Sequence, residues 1–90
     1  MSEFFDDLDY DRAEQAEGLS RLLYELRENR KGLLGAFGCA EPAELLAAIA
    51  AGSVAEHPGY EAYLAARILE DTRTAAREAL AALIVEARRP

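Results

Sequence analysis

"GLLGAFGCAEPAE", residues 32–44, decides whether this chain is one long helix or a hairpin. It holds three of the six glycines and the only cysteine, Cys39. It lies between two stretches with helical periodicity. Before it, Ala13, Ala16, Leu19, Leu22, Leu23 and Leu26 recur at steps of three and four, which predicts one buried helical stripe. Helix 1 is expected over residues 11–31, starting at Asp9 or Asp11 and ending at Lys31. Arg27, Arg30 and Lys31 suit the negative end of its dipole, with Gly32 as a left-handed cap. Gly18 inside it costs about 1 kcal/mol against alanine. Within the quoted stretch, Leu33, Leu34 and Phe37 can tuck under the helices while Gly35 and Gly38 turn the backbone.

Pro42 suits the first position of a new helix, with Glu41 or Glu44 near its positive end. Helix 2 is expected over residues 41–51, with Leu45, Leu46 and Ile49 as its apolar face and Gly52 as its stop. Ser53 to Glu56 form a linker. Pro58, after His57, then opens helix 3 over residues 58–88. Its expected apolar stripe is Leu64, Ile68, Thr72, Ala75, Ala76, Ala79, Leu80, Leu83 and Ile84. The predicted fold is all-α: two longer helices in a hairpin with a short connecting helix, in one domain over residues 1–90.

Composition agrees. Valine occurs only at Val54 and Val85, isoleucine only at Ile49, Ile68 and Ile84, and tryptophan is absent. Strands favour β-branched and aromatic residues, whereas helices favour Ala, Leu, Glu and Arg. A helix of about 30 residues runs roughly 45 Å. Helix 3 is therefore longer than helix 1 can cover. Leu80, Leu83, Ile84 and Val85 nearly surround its end. A second copy packed antiparallel would cover them, giving a four-helix homodimer with these residues at the interface.

The net charge of −7 is uneven. Residues 1–17 carry −6 and the rest of the chain −1. Residues 1–10 read as an acidic-aromatic arm in which Phe4, Phe5, Leu8 and Tyr10 sit among aspartates. The arm either folds back on the core or docks on a partner. The charge balance disfavours nucleic acid and anionic membrane surfaces. No apolar run approaches the ~20 residues needed to span a bilayer. One cysteine and an acidic N-terminus predict a cytoplasmic protein.

No motif carries chemistry. Cys39 is either a reactive thiol near the start of helix 2 or a small residue in a corner. His57 is either a ligand or base, or a residue of the loop before helix 3. A Cys39–His57 dyad is disfavoured, because the two flank opposite ends of a helix about 16 Å long. Tyr60 and Tyr63 either close the bundle end or anchor a partner with His57. Arg67, Glu70, Asp71, Arg73, Arg77 and Glu78 alternate in sign and read as a solvated face. The resulting expectation is a small non-enzymatic interaction protein, an adaptor or regulator without cofactor or metal, that binds another protein. A redox- or metal-linked accessory protein using Cys39 and an acidic nucleic-acid mimic are the alternatives.

Overall fold

The computed structural model describes the backbone of residues 3–87 and the side chains of residues 10–86. Three helices follow in order: α1 over Glu3–Gly35, α2 over Pro42–Ala50 and α3 over Glu56–Ala87. No strand occurs among the described residues. The chain is all-helical, and α1 and α3 lie antiparallel as a hairpin.

The boundaries of α1 differ from expectation at both ends. It starts at Glu3 rather than at Asp9 or Asp11. Aspartates in the first turns are favourable there, because the positive end of the dipole stabilises them. It also runs past Lys31 and Gly32 to Gly35. The stop is Gly38, at φ +72°. The Cys39 amide donates to the Leu34 carbonyl at 3.0 Å and the Gly38 amide to that of Gly35 at 3.0 Å. This pair of bonds is a Schellman closure, which needs a left-handed residue at the Gly38 position. Gly32 makes no such turn, since Leu33, Leu34 and Phe37 continue the apolar spacing and carry the helix onward.

α2 follows the sequence closely. Glu41 is extended, Pro42 opens the helix, and Gly52 at φ +81° closes it. The Ser53 amide bonds to the Ala48 carbonyl at 2.9 Å and the Gly52 amide to that of Ile49 at 3.0 Å, a second Schellman closure. At the start of α3, His57 is extended, so regular helix begins at Pro58; the His57–Pro58 peptide is cis.

The hairpin seam has a seven-residue rhythm. Arg12, Ala16, Leu19, Leu23, Leu26, Arg30 and Leu33 are buried or half-buried on α1, and Phe37 in the turn after it continues the spacing; Gly59, Ala62, Ala66, Leu69, Arg73, Ala76, Leu80 and Leu83 are so on α3. Alternating steps of three and four put each set on one edge of its helix, the pattern of a two-stranded coiled coil. Here the expected α3 stripe splits. Ala76, Leu80 and Leu83 face α1, but Leu64, Ile68, Thr72, Ala75 and Ala79 are exposed. The small side chains of Ala62, Ala66 and Ala76 fill the seam positions, leaving the larger Leu64 and Ile68 outside.

The molecule is a rod of 63 × 17 × 15 Å with a radius of gyration of 18.5 Å. A compact chain of this length has about 12 Å. At one end α2 folds over the hairpin, and Leu34, Leu45, Ala62 and Ala66 form a buried core. Leu33, Phe37, Cys39, Ile49, Val54 and Tyr63 pack around it. Gly59 is what allows this closeness: a Cβ there would lie 2.8 Å from Val54 Cγ1 and 3.2 Å from Ile49 Cγ1.

Candidate functional site

Three surfaces follow from this architecture. The first is the corner that holds Cys39. Its Sγ donates to the Phe37 carbonyl at 3.6 Å, and the side chain is half-buried against the core. Next to it, Arg30 occupies a seam position with its side chain only 13% exposed, and its Nη2 donates to Glu41 Oε2. Its buried Nε has no hydrogen-bond partner among the described residues. The ion pair ties α1 to the first turn of α2 across the Gly32–Ala40 segment. The basic residue expected to complement the end of α1 instead locks the corner. The Glu44 carboxylate accepts from the Ala40 amide at 3.3 Å and fixes the same segment from the other side.

The second surface is the start of α3. His57 is exposed and its Nδ1 pairs with Glu61, one turn on. Tyr60 and Tyr63 stack, with ring centroids 6.0 Å apart and planes at 22°. Tyr63 turns inward to the core, while Tyr60 stays 47% exposed. Arg67 donates to the Tyr63 hydroxyl at 3.0 Å and lies over its ring. That hydrogen bond, helped by attraction to the phenolic oxygen, raises the Arg67 pKa above the usual arginine value. Leu46, Ile49, Ala50, Glu56, His57 and Tyr60 line a hollow of about 400 Å³. The sequence placed His57, Tyr60 and Tyr63 together at the bundle end under helix 2; the structure sets Leu46 and Ile49 of α2 beside His57 and Tyr60.

Cys39 and His57 keep separate neighbours, one in the corner and one paired with Glu61. Among the described residues, no group of three His, Cys, Asp or Glu side chains is disposed to hold a metal. Tyr10 is exposed on α1. The side chains of Phe4, Phe5 and Leu8 lie outside the described residues. No helix of the described residues is long and apolar enough to cross a membrane.

The third surface was not visible in the sequence. Gly18, Leu22, Glu25, Asn29 and Gly32 sit about 100° round α1 from the seam. Leu64 lies on the side of α3 directly away from the seam, while Ile68, Thr72, Ala75, Ala79 and Ala82 sit at a similar angle round α3, in the same rotational sense. In an antiparallel pair, equal senses fall on the same side, so these residues share one face of the rod. That face is bare. Leu22 is 38% and Ile68 65% exposed. A Cβ on Gly18 or Gly32 would meet nothing within 4 Å. α2 packs on the opposite side, where Glu41, Pro42 and Ala43 share a groove with Arg67, Glu70, Asp71 and Thr74. Leu80 and Leu83, expected at a dimer interface, are half-buried in the seam, and Ile84 and Val85 are exposed.

Residues 15–88 match the family described as the Uncharacterized protein MJ0235 family, and the chain belongs to it. No curated protein and no solved structure gives a significant match to the chain.

Proposed function

We propose that this family member is a non-catalytic, dimeric interaction protein. Two hairpins pack through their bare faces into a four-helix stem, and each presents its α2–α3 corner to a partner protein. The observation that carries the reading is the bare apolar face of Leu22, Ile68, Ala75 and Ala79. Exposed surface adds weight to it. The chain exposes 6497 Å², against roughly 5,200 Å² for a compact monomer of this mass. The excess, about 1,300 Å², exceeds the ~800 Å² that a standard interface takes from each partner.

A second copy suits the face better than an unrelated surface does. Its helices are long and nearly equal, and small residues at Gly18, Gly32, Ala75 and Ala79 permit close approach of helix backbones. Glu25 lies in the middle of the face, between Leu22 and Asn29, and Glu61 and Glu86 lie at its two ends. The hollow at Leu46, Ile49, His57 and Tyr60 stays open in such a dimer. A Tyr-rimmed apolar hollow is a common anchor point in protein recognition. Light scattering on the purified chain tests the dimer. Crosslinking from position 46 in the native cell tests the partner: a single captured protein supports the reading, and capture lost on Tyr60→Ala places the contact.

A further inference from the structure

The side of the stem opposite the bare face carries a second site of different chemistry. Leu23, Tyr24 and Arg27 of α1 and Arg73 and Arg77 of α3 line one groove of about 320 Å³. In a chain of net charge −7, three guanidinium groups converge there. Arg73 and Arg77 stand one helical turn apart, and like charges at that spacing repel. Neither has a carboxylate partner among the described residues, whereas Arg21 pairs with Glu17 and Arg30 with Glu41. Arg27 reaches only its neighbour Glu28, at 3.6 Å, and lies 5.6 Å over the Tyr24 ring. Arg73 is held half-buried by its seam position, so it has little room to swing toward a distant carboxylate.

We propose that this groove is an anion-binding site that takes a phosphate group, free or on a small ester. Three converging guanidiniums call for a multiply charged ligand. A phosphate carries between one and two negative charges near neutrality, and its oxygens match the planar forks of arginine. Tyr24 supplies a flat wall beside the phosphate, and Leu23 closes the floor. The volume lies at the small end of small-molecule sites, enough for a phosphate and a short attached group. This site is independent of the dimer face and does not rest on it.

The test is a ¹⁵N NMR titration of the whole chain at low ionic strength, where charge interactions are least screened. Inorganic phosphate and glycerol phosphate are the probes, and acetate is the charge control. The expected result is saturable shifts at Tyr24, Arg27, Arg73 and Arg77 with phosphate. Arg77→Gln, an exposed change, should weaken binding at least tenfold. A tighter fit for glycerol phosphate than for inorganic phosphate assigns the site to an ester; equal fits assign it to the free ion. The proposal is overturned by shifts that fail to saturate, by acetate acting as well as phosphate, or by Arg77→Gln binding like the parent. A melt without phosphate gives an independent reading. Relief of repulsion should raise the Arg77→Gln midpoint above that of the parent, and added phosphate should reverse the order. A midpoint order that phosphate leaves unchanged contradicts the site.

Discussion

The two ends of the rod solve the same problem differently. At the α2 end three helices meet, and Leu34 and Leu45 are fully buried with Ala62 and Ala66. Along the stem only α1 and α3 meet. Leu26 and Ala76 are buried there, but Leu19, Leu23, Leu69, Leu80 and Leu83 remain half-buried, because two helices cover a side chain from fewer directions than three. The difference teaches that the corner buries its core within one chain, while the stem leaves its leucines half-covered; in the proposed dimer the stem is half of a structure. Burial contributes in proportion to apolar area removed from water, about 25 cal/mol per Å². A half-buried stem leucine therefore gains only part of that share in one chain, and the proposed dimer would supply more.

Truncations should divide along that line. Leu34→Ala should cost about 2–5 kcal/mol in urea unfolding, the range for fully buried leucines. Leu23→Ala in the stem should cost clearly less at protein concentrations where the chain is monomeric. Equal costs would break the comparison. The glycines sharpen it further, since the same substitution should act with opposite signs. Gly59→Ala forces a Cβ against Val54 and Ile49, and overpacking of this kind costs about 1–3 kcal/mol. Better helix propensity offsets up to about 1 kcal/mol of that cost. Gly18→Ala meets open space and should stabilise a monomeric variant by up to about 1 kcal/mol, because alanine is the better helix former. Thermal melts of both in one buffer decide the matter. The smallest effect concerns the lock at the corner. Glu41→Gln removes the partner of Arg30, but Glu41 itself is largely exposed, so the loss should be about 0.5–1 kcal/mol.

Much of the corner was legible in the chain because its signals are local. Pro42 and Gly52 mark the ends of α2, and Pro58 marks the start of regular helix in α3. The stop of α1 was misread at Gly32 because a glycine before an apolar pair resembles a cap. Leu33, Leu34 and Phe37 keep the seam spacing across it and could have shown that the helix continues. The side of α3 that would be buried was not legible. That helix has two apolar stripes, and hydrophobicity favours the one with Leu64 and Ile68. Close approach to α1 favours the other, with Ala62, Ala66 and Ala76, and only the packing decides. Gly59 was silent for a related reason, since its need arises from Val54 and Ile49, which chain order alone does not set against it. Cys39 was legible as a corner residue, and His57, Tyr60 and Tyr63 as one cluster. Arg73 and Arg77 read as a solvated face, because their convergence with Arg27 depends on how α1 and α3 are aligned.

The claim that the stem is half of a structure meets its most direct test in sedimentation equilibrium of the parent chain and Ile68→Glu at micromolar concentration. The parent should sediment at twice its 9.8 kDa chain mass. Ile68→Glu, which places a charge in the middle of the bare face, should sediment as a folded monomer with unchanged helical content. A parent that stays at 9.8 kDa, or an Ile68→Glu variant that dimerises as well as the parent, would contradict the account.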